Sequence, residues 1–424
     1  MNGVYRSVIP QNVKSNNKYT ILDLIRFTPG GISRVEIARQ IGLTRAAVTT
    51  IVKDLLDTGV IREAESIQVH NGRPPIVLEI NPTLGYVIGI DFGATHLSLV
   101  LADLSARILE ELELEFTIQA GPDAGIAEAD RGVRELLTRA GLALKDILAI
   151  GMGVPGPVVA EAGMVLAPPI MPGWDRFPIR ETVEKLWGVP VSLNNDADLG
   201  ALGEWAAGSG RGEANLAYIK VGTGIGAGLL LNGQIYRGVT GSAGEIGHLT
   251  IDENGPLCTC GNHGCLEAIA GGQAIALQAQ EAVRQGKRTR MAVIQPVESL
   301  SVRDVAAAAS RGDLLAQQIL AKAGTHIGIA IAGLINLFNP SMIVVGGGVA
   351  RTGDLLLEPV RQAVESRSMP ASVRAVRITT AMLGKRSSAM GAVIQALTIS
   401  LHQVADRKEV RTTKTARSKS LVAQ

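Results

Sequence analysis

Over the first eighty residues the apolar positions first follow helical spacing and then alternate. Tyr19, Ile21, Leu22, Ile25 and Phe27 mark a first helix that stops at Thr28-Pro29-Gly30-Gly31, where proline and glycine cannot continue it. Ser33 with Glu36 three residues on is a capping box that opens a short helix from Arg34 to Gln40. Gly42 then suits a positive φ angle, Leu43 plugs the corner, and Thr44 caps a third helix from Arg45 to about Asp57. On that helix Val48, Ile51, Val52, Leu55 and Leu56 form the apolar stripe, which leaves Arg45, Ala46, Thr49, Thr50 and Lys53 facing outward. After Gly59, Val60-Ile61-Arg62 and the run Ile76 to Ile80 read as two strands joined by a polar loop.

This order, with its spacing, predicts a winged helix-turn-helix over residues 1–82. Short polar side chains beside Arg45 and Lys53 suit a helix that reads the major groove of double-stranded DNA. The wing tip Asn71-Gly72-Arg73-Pro74-Pro75 offers Arg73 to an A·T-rich minor groove. Thr44, Arg45, Ala46, Thr49, Thr50, Lys53 and Arg73 are therefore the candidate DNA-contacting residues. The alternative is a three-helix packing module that touches no DNA.

Near residue 86 the pattern changes. An apolar run, Tyr86 to Ile90, leads into Asp91-Phe92-Gly93-Ala94-Thr95 and a second apolar run, Leu97 to Ala102. The layout recurs at Ala217 to Val221, Gly222-Thr223-Gly224 and Ile225 to Leu231, a weak internal repeat. Two such hairpins predict a duplicated α/β body whose lobes each offer a glycine turn to nucleotide phosphates, because backbone N–H groups in such turns bind phosphate oxygens. A third glycine cluster, Gly346-Gly347-Gly348, follows the apolar pair Val344-Val345. The amphipathic segment Ile327 to Phe338 is a core or interface helix.

Composition sharpens this picture at three points. The chain has 424 residues, enough for several domains, and 46% hydrophobic against 3% aromatic residues means that its cores are aliphatic. The formal charge of +2 conceals an uneven distribution: +3 over residues 1–82, −6 over 83–406 and +5 over 407–424. The last stretch, RKEVRTTKTARSKSLVAQ, is polar without apolar periodicity and reads as a disordered tail, either solubilising or weakly attracted to phosphate. The N-terminus has no apolar run of a signal-peptide core's length and no later stretch reaches that of a membrane span, so no membrane partner is expected.

The three cysteines, an odd number, argue against a disulfide framework and for a cytoplasmic location. All lie in Cys258-Thr259-Cys260-Gly261-Asn262-His263-Gly264-Cys265, the compact glycine-containing arrangement of a metal knuckle. Three thiolates need a fourth ligand, and both His263 and His248 lie close enough in sequence.

Residues 85–397 resemble the ROK family, which takes its name from repressors, open reading frames and kinases. The most specific stretches are VGTGIGAGLLLNGQIYRGVTGSAGEIGH from Val221 to His248 and CTCGNHGCLE from Cys258 to Glu267, with weaker support from GMGVPGPV, NNDADLGALGE and LINLFNPSMIVVGGGV. The resemblance implies an actin-like, ribonuclease H-like, two-lobed sugar-kinase fold over 83–406. It implies structural Zn2+ on His248, Cys258, Cys260 and Cys265. It implies sugar binding by Asn195, Asp196, Glu245, His248 and Glu267, with Asp196 matching the catalytic base. Asp91, Gly93 and Thr95 match the family's phosphate turn, and Gly222, Thr223, Gly224, Gly346 and Gly347 complete the expected nucleotide site for ATP with Mg2+.

Two departures stand out: His96 follows Thr95 where the family's kinases usually have lysine, and the first turn has one glycine where many have two. Behind a winged helix, the body looks like that of the family's sugar-responsive repressors. The expected protein is a regulator, a homodimer or dimer of dimers, that binds an operator and a sugar effector. An active sugar kinase with a DNA-binding head, and a scaffold with a vestigial pocket, are the alternatives.

Overall fold

The computed structural model describes residues 13–65 and 76–407, with side chains from residue 17 onward. The wing tip with Arg73, and the tail from residue 408, lie outside the described residues. The chain divides into two compact units, described separately below.

The head contains helices Val13–Arg26, Arg34–Ile41 and Arg45–Asp57, then strands Ile61–Glu65 and Ile76–Ile80 paired antiparallel. The caps follow the sequence. Ser33 Oγ accepts from Glu36 N at 3.2 Å, Gly42 takes φ 69°, and Thr44 Oγ1 accepts from Ala47 N at 3.2 Å. Ile21, Leu22, Ile37, Val48, Val52, Leu55 and Leu78 form the buried interior. Ile51 and Leu56, assigned to the apolar stripe, are only half-buried. The same unit takes in Leu401–Arg407, the end of the C-terminal helix Ser387–Ala405 and the two residues after it. There the His402 ring stacks on Tyr19 at 4.0 Å, and Lys18 and Tyr19 both donate to Asp406.

The body, residues 85–400, holds two five-stranded sheets of identical topology. The first runs Ile108–Glu115, His96–Asp103, Tyr86–Phe92, Ile147–Val154, Val191–Asn195. The second runs Gln234–Ile235, Ile225–Leu231, Leu216–Val221, Met342–Gly346, Arg377–Thr380. In each, three antiparallel strands form a meander and two further strands add in parallel to its first strand. The repeat glimpsed in two glycine hairpins is thus a duplicated lobe, each with its own hydrophobic core, the first holding Phe92, Trp174 and Trp187.

The helix Leu314–Phe338 is long and apolar enough to cross a membrane by length and composition, but Leu320, Ile327, Ile331 and Ile335 are fully buried in the second lobe's core. It is a core helix whose exposed end carries Leu337 and Phe338. The C-terminal helix lies flush on the first sheet because Gly89 and Gly151 have no side chains: a Cβ there would stand 2.2 Å from Ala389 O and 2.0 Å from Ala392 O. Glu204, fully buried, is satisfied by Ser209 N, Met382 N, Leu383 N and Ser387 Oγ, the complete donor set that a buried carboxylate requires.

Candidate functional site

In the head, the six described residues expected to meet DNA, Thr44, Arg45, Ala46, Thr49, Thr50 and Lys53, are all exposed on one helix and the cap before it. Thr49 and Thr50 donate their hydroxyl protons back to Arg45 O at 2.8 Å and Ala46 O at 3.2 Å. What they present outward is then a methyl group and acceptor lone pairs, suited to thymine methyls and base amines.

In the body, the cysteine loop folds back on itself through Gly261 and Gly264, both at positive φ; a Cβ on Gly264 would stand 1.5 Å from Asp252 O, so only glycine closes this loop. The closure brings Cys258, Cys260, Cys265 and His248 together, with ligand atoms all within 4.8 Å of one another. Cys258 Sγ lies 3.6 Å from His248 Nδ1, and Cys260 Sγ lies 3.7 Å from Cys265 Sγ. This group can hold a metal ion. His263, the other histidine left open by spacing, points to Gly255 O at 3.2 Å and is exposed outside the group.

Glu245 stands one residue before the short turn Ile246–His248, and its Oε2 lies 3.9 Å from His248 Nε2. Glu267 lies on the helix Leu266–Ala270 that starts after Cys265, and its Oε2 accepts from Ile225 N at 2.9 Å. Asp196 opens the helix Asp196–Ala207. These carboxylates feel one another. Burial pushes the Glu245 carboxyl up, His248 pulls it back, and Asp196 and Glu267 push it further up. Asp198, which the sequence reading passed over, is pushed to about 7 by burial, opposed by Arg237 and raised further by Asp196 and Glu245. Asp196, Asp198, Glu245, Glu267 and His248 are thus linked electrostatically.

Asn195 also has a structural part in the helix start. Its Oδ1 caps the helix by accepting from Ala197 N and Asp198 N, and its Nδ2 donates to Gly156 O at 3.0 Å, so only one amide hydrogen is left for a ligand. Met171 and Trp174 are buried in the first lobe's core.

At the phosphate end, Gly222, Thr223 and Gly224 form the second turn, and Thr223 and Thr95 are exposed. Gly346 and Gly347 are accounted for by packing: a Cβ on the first would meet Tyr218 Oη at 2.3 Å, and one on the second would meet Val221 O at 2.4 Å. Asp91 is buried at the end of its strand and shifted to about 6 by burial, against the pull of Lys220. The residue missed from the sequence is Lys220. Its Nζ donates to Asp196 Oδ2 at 2.8 Å and stands 3.6 Å from Asp91 Oδ2. The available signal was a single cation inside the otherwise apolar strand Leu216–Val221.

A winged helix joined to a duplicated, kinase-like α/β body with a metal-binding knuckle beside a carboxylate cluster defines a class: DNA-binding proteins whose second part is built to hold a small polyhydroxy ligand. The chain belongs to the ROK family, whose model matches residues 87–399, and a winged helix-turn-helix DNA-binding model matches residues 15–62. It is 31% identical over 362 residues to the xylose repressor of Caldicellulosiruptor bescii, covering 85% of this chain and 90% of that one. It is 34% identical over 308 residues to a glucokinase of Halalkalibacterium halodurans, but that match covers 72% of this chain and 93% of the kinase. Among solved structures, a ROK family transcriptional regulator homologous to Escherichia coli Mlc superposes with TM-score 0.79 at 29% identity, over 93% of this chain and 98% of that chain.

Proposed function

We propose that this protein is a sugar-responsive transcriptional regulator that represses carbohydrate-metabolism genes, with the head on the operator and the body holding the effector. The observation that carries the reading is the union in one chain of an exposed recognition helix and a carboxylate–imidazole cluster braced by a metal-binding loop. The comparisons support it: repressor relatives align through head and body, whereas the glucokinase match covers less of the chain.

The metal is Zn2+. Three thiolates and one imidazole are the donor set of a structural zinc site, and two of their separations, 3.7 and 3.6 Å, are close to the S···S and S···N distances of a zinc tetrahedron. An ion held through His248 Nδ1 would leave the proton on Nε2, able to donate on the side of Glu245. Glu245, Glu267 and Asp196 accept from sugar hydroxyls, and His248 donates to one: a complementary set for a ligand whose every hydroxyl does both.

Effector binding acts by shifting the population between body conformations. In a homodimer or dimer of dimers the distance between two recognition helices must match half-sites about one helical turn, or a multiple of it, apart. A thermal-shift screen against a sugar panel, followed by gel shifts on DNA fragments selected by the protein from genomic DNA, tests the reading. The expected result is one sugar class that raises the melting temperature and lowers DNA affinity. Stabilisation by a sugar with unchanged DNA affinity would refute it.

A further inference from the structure

At the phosphate end, the chain's own side chains occupy the positions that a metal–nucleotide complex would need. Lys220 reaches there because its register neighbours, Gly226 on one side and Gly346 on the other, have no side chains to obstruct its stem. Its Nζ is fixed by Asp196 Oδ2 at 2.8 Å, Asp91 Oδ2 at 3.6 Å and Ser388 Oγ at 3.5 Å; Ser388 itself donates to the main-chain oxygen of Asp196 at 2.8 Å. The side chain is 17% exposed, so this is a largely desolvated ion cluster. Burial alone would lower the ammonium's pKa, but Asp196 and Asp91 more than offset this and raise it, so Lys220 stays charged.

On the facing turn, a Cβ added to Gly93 would stand 2.4 Å from His96 Cε1: the imidazole lies over the glycine. The turn is closed further by Gly93 N donating to His96 O at 2.8 Å, which removes one N–H from those available to a phosphate.

We propose that Lys220 is the cleft's built-in counter-cation: its ammonium bridges Asp196 and Asp91 while the His96 ring covers Gly93, and together they close the phosphate end to Mg2+–ATP. The residues present do not fit that complex. A divalent ion would need the carboxylate oxygens that Lys220 holds and would be repelled by the ammonium. The triphosphate would need the turn surface that His96 covers. The body therefore binds sugar without phosphorylating it, and Lys220 is the residue that separates sensor from kinase. This proposal rests on the sugar-sensor reading given above.

The test measures Mg2+-dependent binding of the non-hydrolysable ATP analogue AMPPNP by calorimetry, with no sugar present. The wild-type protein is expected to show none at millimolar nucleotide, and the Lys220→Thr/His96→Ala double variant is expected to gain at least about tenfold in affinity. Lys220→Gln read against Lys220→Arg gives a second comparison should the double variant fold poorly: affinity should rise in the first and not in the second. Tight Mg2+–AMPPNP binding by the wild type, or equal affinities across the folded variants, would overturn the proposal. Failure of the wild type to bind any sugar would instead sink the sensor reading and leave the nucleotide result standing, since that measurement uses no sugar.

Discussion

Two groups of polar side chains in the body, the carboxylates beside the metal-binding loop and the cluster around Lys220, use their hydrogen-bonding capacity differently. At the end proposed to bind sugar, Glu245, Glu267 and His248 lie on or beside the metal-binding loop, and Glu245 is coupled electrostatically to His248, Asp196 and Glu267. At the phosphate end the capacity is used internally: Lys220 occupies the carboxylates and His96 the turn. The contrast teaches that a fold inherited by kinases and repressors alike does not decide between them, and that a few side chains at one end can. On the proposed reading the chemistry also has a direction: the loop-braced carboxylates recognise a ligand, while the end that would transform it is filled by Lys220 and His96.

The largest test of the comparison is removal of the metal. Chelation, or Cys265→Ser, is expected to abolish sugar binding and to cost on the order of 5 kcal/mol of body stability, because binding free energy at such a site is folding free energy. Metal analysis and thermal melting check this, and an unchanged melting curve after verified metal loss would break the account of the sugar end.

The next concerns Asp198, buried beside the sugar carboxylates with its folded pKa raised to about 7 from 3.8. A raised carboxyl favours the protonated folded state, so its contribution is intact below pH 4 and stability declines as pH rises from about 4 to about 7. Asp198→Asn should therefore stabilise the protein relative to wild type by on the order of 3 kcal/mol at pH 7.5 and by much less at pH 5. Urea unfolding at the two values reads the difference; a pH-independent difference would refute it.

Glu245→Gln keeps the shape of the side chain but removes the charge that accepts from a sugar hydroxyl. It should weaken sugar binding by about thirtyfold, near 2 kcal/mol, with DNA affinity unchanged in the absence of sugar. Isothermal titration checks it, and unaltered sugar affinity would remove Glu245 from the site. The smallest effect lies outside the cleft: Arg45→Ala should lower DNA affinity by about tenfold and reduce the salt slope by about one, leaving sugar affinity as it was. A change in sugar affinity there would mean that head and body are not separable in this way.

Much of this was legible in the sequence wherever local rules set the outcome. Ser33, Gly42 and Thr44 announce the head's helices because caps and left-handed turns are one-residue decisions; each caps its helix or turn as expected, though the Ser33 cap uses only Glu36 N and not the reciprocal Glu36 side-chain bond of a capping box. The knuckle was legible because every thiol falls within eight residues; spacing left His248 and His263 open, the family resemblance favoured His248, and the folded loop brings His248 and not His263 to the thiols. The duplicated lobes were half legible: two antiparallel hairpins could be seen, whereas the parallel pairing of Met342–Gly346 and Arg377–Thr380 joins segments far apart in the chain. Asn195 matched a sugar-binding pattern, yet its amide caps a helix, a use that motif matching cannot separate from ligand contact. Lys220 was missed because its partners lie 24 and 129 positions away, and an ion pair over such distances has no periodic trace.

The central claim is that sugar held at the open end of the cleft controls the head's grip on DNA. Its most direct test is a fluorescence anisotropy titration of sugar into the protein bound to a fragment selected from genomic DNA, run in parallel with wild type and Glu245→Gln. The account predicts that sugar releases the wild-type protein without ATP and that the variant needs about thirtyfold more sugar for the same release. Release that requires ATP, or release curves that coincide for the two proteins, would contradict it.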